Sequence, residues 1–130
     1  MGENVFFAGS LPRSQVFSLM QSCDIFLSLY DVSNCGNPLF EALLNGIPII
    51  TLDNGSTSEV IKDRVNGLLL QPDDRKGLLS ATRELYENKE LRQKFSRRGA
   101  AWVKRNMLSW DERMQKELRW VESRIKALSE

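Results

Sequence analysis

No histidine occurs anywhere in this chain of 130 residues. That absence removes imidazole general bases, Ser-His-Asp triads and histidine metal ligands from the chemistry open to it. Cysteine is scarce as well. Cys23 and Cys35 are the only two, too few for a disulfide framework and without the neighbours of a metal site, and both suit a reducing compartment. Neither sign of charge prevails: 18 basic and 17 acidic residues leave a net charge of +1, so no overall field recruits nucleic acid or a membrane surface. No apolar run approaches the ~20 residues of a membrane span, and the N-terminus lacks the basic-then-apolar pattern of a secretion signal. A cytoplasmic globular domain is expected, long enough to bury about two-thirds of its unfolded surface.

What is present reads as alternating strands and helices. Val5-Phe6-Phe7-Ala8-Gly9 is a short continuous apolar run that suits a strand buried on both faces. Ser14 to Ser22 follows as a helix with Val16, Leu19 and Met20 on one side. Ile25 to Leu29, Ile47 to Thr51 and Gly67 to Leu70 are three further strands, with a short helix near Ser58 to Lys62 between the last two. This order predicts an α/β fold, a Rossmann-like parallel sheet of about four strands with flanking helices and right-handed crossovers. Residues 75–88 and 89–106 form amphipathic helices. Arg97-Arg98 and Lys104-Arg105 lie on the second without aromatic interleaving and read as a solvated face, while Asp73-Asp74, after Pro72, reads as a turn and helix cap. From Ser109 onward, Trp110, Met114, Leu118, Val121, Ile125 and Leu128 make one stripe on a long amphipathic helix.

The chemistry concentrates in Ser33-Asn34-Cys35-Gly36-Asn37-Pro38, a polar turn between an apolar strand and a helix. Asn37 suits the N-cap and Pro38 the first helical position. Backbone amides around Cys35, Gly36 and Asn37 are then able to face an anion, and the helix dipole adds roughly half a positive charge there, so a phosphate or diphosphate is the natural guest. Glu41, one turn into the helix, can accept hydrogen bonds from hydroxyls that the phosphate carries. The Gly9-Ser10-Leu11-Pro12-Arg13 loop ends the first strand, where open sheets place ligands. Arg13 reaches a phosphate or caps the next helix, and Thr57 and Ser58 donate to the ligand or cap theirs.

Read together, Asp24-Ile25-Phe26-Leu27-Ser28, Ser33 to Glu41, Glu41-Ala42 to Gly46-Ile47-Pro48, Gly55 to Glu59, and Asn66-Gly67 closely resemble the nucleotide-sugar-binding, C-terminal domain of the retaining glycosyltransferases of the B-type fold (GT-B; glycosyltransferase family 4, group 1 type). These are the sucrose-synthase and mannosyltransferase-like enzymes. The resemblance spans roughly residues 4 to 110. It implies a partial donor domain over residues 1–108, and a helix over 109–130 that crosses to the acceptor domain. Alternatively that helix packs on its own domain; left uncovered, its stripe favours self-association.

The resemblance implies a hexosyltransferase that moves a sugar from a nucleotide diphosphate donor to a saccharide or lipid-linked acceptor, with no cofactor or divalent metal. It would act in the cytoplasm, peripheral to a membrane in the full-length protein. The donor-binding residues it implies, with those read above, are Ser33, Asn34, Cys35, Gly36, Asn37, Glu41, Gly9, Ser10, Leu11 and Thr57. Glu41 matches the acid that holds the nucleotide ribose. Ser33 stands where the family's first acid hydrogen-bonds the donor sugar, and can do so only without charge. The acceptor domain, and an Arg and a Lys that grip the diphosphate, belong to segments upstream of Val5, so little turnover is expected from these residues alone. A degenerate nucleotide-sugar-binding or assembly module is the alternative. A nucleotide-sugar epimerase of the same architecture suits the chain less well.

Overall fold

The computed structural model describes residues 4–32 and 35–128. In chain order the elements are α1 (Arg13–Gln21), β1 (Phe26–Ser28), α2 (Asn37–Leu44), β2 (Ile49–Leu52), α3 (Thr57–Val60), β3 (Leu68–Leu70), α4 (Arg75–Glu87), α5 (Lys89–Asn106) and α6 (Trp110–Leu128). The strands form one parallel sheet in the order β1-β2-β3. Phe26 lies beside Ile49, and Ile50 beside Leu68.

Successive residues of β2 point to opposite faces, and both Ile49 and Ile50 are fully buried. Ile49 joins Met20, Leu39, Leu43, Ile61 and Val103 on one side of the sheet. Ile50 joins Leu68, Ala81, Leu85 and Phe95 on the other. Helices therefore cover both faces, as a parallel sheet requires. Gly99 lets α5 lie close on α2, since a Cβ there would sit 2.8 Å from Leu43 Cδ2. The end of α2 is a Schellman turn: Ile47 N–H donates to Ala42 O at 2.9 Å and Gly46 N–H to Leu43 O at 3.0 Å, with Gly46 at φ +69°. That turn delivers Pro48 and the buried β2 directly beneath the helix.

The expected strand Val5–Gly9 does not form. Its residues are in no ladder, and Phe6 is 88% exposed and Phe7 71%. The sheet order supplies the reason. In a doubly wound sheet of order 3-2-1-4-5-6, β1, β2 and β3 take the places of the last three strands, and the strand before them belongs at the far end, separated from β1 by two others. Val5–Gly9 therefore has no neighbour to pair with among the described residues, and the sheet has three strands rather than about four. Among the described residues β1 is an edge, with Leu27 and Leu29 exposed.

α4 and α5 follow their sequence-based bounds. Asp74 is the expected cap, its carboxylate accepting from Gly77 N–H at 2.8 Å. None of the residues of α6 is buried, and its apolar stripe faces solvent. The expectation that this helix packs on the domain is thus not met among the described residues.

Candidate functional site

At the carboxyl ends of β1 and β2 the chain makes two turns, and these carry most of the residues singled out from the sequence. Ser33 and Asn34 lie outside the described residues. Cys35 opens the entry to α2 with φ +55°, a left-handed conformation uncommon for a residue with a side chain, and its Sγ donates to Ser56 O at 3.1 Å. The turn before α2 is thereby tied to the turn before α3.

The helix start differs by one residue from the sequence expectation: Gly36 is the N-cap, Asn37 the first helical residue and Pro38 the second. Glycine is an acceptable cap because it costs little in the extended conformation the position needs. It brings no side chain, however, so no side-chain oxygen caps α2, and the first turn holds no acidic residue. The positive end of the dipole is left without a carboxylate among these residues.

Glu41 lies on the same helix one turn further on, with 27% of its side chain exposed, and pairs with Arg13, Nη2 to Oε1, at 3.5 Å. Arg13 is the first residue of α1 and is reached through the exposed Gly9-Ser10 turn and the half-buried Leu11. Gly9 has φ +64°. The Gly9 loop and α2 are thus brought together through Arg13 and Glu41. Thr57 behaves differently. It begins α3 fully buried, and its hydroxyl has no partner and no exposure, so it faces neither ligand nor solvent in this conformation.

Asn54 escaped the sequence reading. Its Nδ2 donates to Tyr30 O at 2.6 Å and to Asp31 O at 3.0 Å, fastening the loop after β1 to the turn after β2, while its buried Oδ1 has no partner. The signal was Asn54-Gly55, which reads as an ordinary turn. Among the described residues no group of acids and cysteines could hold a metal ion, and no helix is long and apolar enough to cross a membrane. A groove of about 410 Å³ at the α5–α6 elbow, lined by Asn106, Met107, Leu108 and Trp120, contains none of the candidate residues.

The family described as Glycosyl transferases group 1 matches residues 1–102. The chain belongs to this family. It is 32% identical over 98 residues to Sucrose-phosphate synthase 4 of Arabidopsis thaliana, a match covering 75% of this chain and 9% of that protein. The chain thus spans about a tenth of the length of that relative. Its fold is similar to the C-terminal domain of a glycosyl transferase group 1 family protein from Francisella tularensis, with a TM-score of 0.67 at 24% identity, covering 78% of this chain and 51% of that one. It is also similar to an Anabaena protein solved in complex with UDP, with a TM-score of 0.75 at 20% identity, covering 85% of this chain and 30% of that one. The same Anabaena protein has been solved with UDP-glucose. The parallel sheet between helical layers, ending in a long helix, is the architecture of a GT-B C-terminal domain in this glycosyltransferase family.

Proposed function

We propose that this chain is the donor-binding part of a retaining glycosyltransferase that takes a nucleoside diphosphate sugar and serves a saccharide or lipid-linked acceptor. The observation that carries this reading is the relation between Gly36 and Glu41: an α2 start with no side-chain cap and no acid, followed one turn later by a half-buried carboxylate. A diphosphate at the helix start and a ribose on Glu41 suit that spacing. The UDP and UDP-glucose held by the Anabaena protein of similar fold point to the same class of ligand.

In this reading the protein's contribution to the transfer is electrostatic. The leaving diphosphate gains charge as the glycosidic bond breaks, and oriented amides at a helix start stabilise it without reorganising and without a metal. Glu41 accepts from the ribose hydroxyls and fixes the nucleotide's register. Asn54 fastens the loop after β1, and the Cys35 thiol ties the turn that presents those amides to the start of α3. The site works in the cytoplasm.

One observation favours a second reading. Ser33 replaces the acid expected at that position of the motif, which weakens contact with the donor sugar more than contact with the nucleotide. A nucleotide-sugar-binding module without transfer follows from that difference.

The deciding experiment is a calorimetric and NMR titration of the chain with UDP, GDP, ADP and their sugar conjugates, beside Glu41→Ala. Binding in the millimolar range or tighter that perturbs Gly36 and is weakened about tenfold, still measurably, in the variant supports the site. Absence of binding in a folded sample overturns it. Equal affinity for nucleotide and nucleotide sugar would mean that the sugar makes no net contact, the consequence expected of serine at position 33.

A further inference from the structure

Arg13 occupies a position that its own helix disfavours. It is the first residue of α1, where the dipole is positive and a cationic side chain is repelled, and the Pro12 cap contributes no side-chain bond. The residue is nevertheless held in place from two sides. Its guanidinium lies 5.5 Å from the centre of the Phe17 ring one turn along the helix, within the range of cation–π attraction. Its Nη2 faces Glu41 Oε1 at 3.5 Å, although 81% of the side chain is exposed.

An exposed ion pair contributes little to stability, about 0–1 kcal/mol, so any effect of this one is to be read in ligand affinity rather than in unfolding. The geometry is that of a support for the carboxylate. The pair is longer than a hydrogen bond, and it engages one oxygen of Glu41 from the α1 side. The other oxygen is left to accept hydroxyls.

We propose that Arg13 is a positioning residue for Glu41. Resting on the nucleotide-binding reading above, it orients the half-buried carboxylate toward the ribose and keeps the negative charge balanced when water is displaced by the ligand. It acts through Glu41 and makes no contact with phosphate. Phe17 holds the guanidinium over α1 and so sets its direction of approach. Arginine suits the role because its planar fork is pre-organised and always charged; lysine would keep the charge and lose the fork.

The test is a double-mutant cycle in UDP affinity on the full chain, with thermal unfolding measured alongside. Arg13→Ala is expected to weaken UDP about five- to tenfold, a loss of about 1 to 1.4 kcal/mol, and Arg13→Lys about half as much on the logarithmic scale. In a Glu41→Ala background, Arg13→Ala is expected to cause no further loss, because its effect passes through the missing carboxylate. Uridine, which has the ribose without the phosphates, should lose affinity by the same factor as UDP. Additive losses, or a loss for UDP alone, would mean a direct phosphate contact and overturn the assignment. So would an unchanged affinity, or a fall in the unfolding midpoint large enough to explain the weakened binding. Failure of the underlying reading looks different: wild-type chain then binds no UDP, or Glu41→Ala binds it as well as wild type does.

Discussion

Asn54 donates both hydrogens of its amide to Tyr30 O and Asp31 O, at 2.6 and 3.0 Å, and so joins the turn after β2 to the loop after β1. Two carbonyl acceptors dictate which end of the amide faces that loop, because only the nitrogen can donate. The price is a buried Oδ1 without a partner. Asn54→Ala should therefore cost only about 1 kcal/mol globally, since it removes two bonds and one orphaned acceptor together. Its larger effect is local, lower backbone order parameters at Cys35 and Gly36, which 15N relaxation reads directly. Unchanged order parameters at those two residues would show that the clamp does not hold the start of α2.

A second prediction concerns the other end of that helix. Gly46 has φ +69°, and a Cβ there would meet Ser96 Oγ at 2.8 Å. Two separable costs follow for Gly46→Ala: left-handed strain of roughly 1–2 kcal/mol, and a steric clash with α5. Adding Ser96→Ala should recover the second cost and leave the first. Denaturant unfolding of the single and double variants measures both, and full recovery in the double variant would show that the backbone tolerates the alanine.

These two positions also indicate what the sequence displays and what it conceals. Apolar runs separated by turn residues locate β1, β2 and β3 and the helices between them, because each signal is local. Val5–Gly9 has the same local signal and forms no strand, since pairing depends on which strand lies beside it in space. The start of α2 shifts from Asn37 to Gly36 because both residue types can cap, and the left-handed Cys35 selects between them. Glu41 is legible from its spacing, whereas Arg13 against Glu41 and Asn54 against Tyr30 are contacts between elements that no periodicity encodes. Ser33 and Asn34, read from the motif, lie outside the described residues.

A third prediction follows from the start of α6. Ser109 and Glu112 form a capping box: Glu112 Oε2 accepts from Ser109 N–H at 2.8 Å and from its hydroxyl at 2.7 Å, and Glu112 N–H donates to Ser109 Oγ at 3.3 Å. The hydroxyl and amide of Ser109 favour the ionised carboxylate and hold the Glu112 pKa below its ordinary value. A carboxyl depressed in the folded state lends stability above its unfolded pKa and loses it as the pH falls through the folded one. The first turn of α6 should thus stay formed at neutral pH and fray below the usual carboxylate range. An NMR pH titration of the Ser109 and Glu112 amides checks this, and Glu112→Gln should remove the pH dependence. A titration midpoint at or above that of a free glutamate would contradict it.

The last prediction tests what α6 does for the domain. Trp110, Met114, Leu118, Val121, Ile125 and Leu128 are all exposed, and none of the residues of α6 is buried. A stripe of this kind is a contact surface, because isolated exposed apolar residues are ordinary and contiguous ones are not. Removing residues 109–130 should leave the unfolding midpoint of the remainder nearly unchanged, since no core residue is lost. The same truncation should abolish any concentration dependence of the sedimentation coefficient, which the full chain is expected to show. Replacing Leu118 and Ile125 with lysine should do likewise without shortening the chain, because both lie in the stripe and neither supports the core. A truncated chain that unfolds several degrees lower would instead mean that α6 packs on the sheet-and-helix body, and the boundary at residue 108 would have to be redrawn.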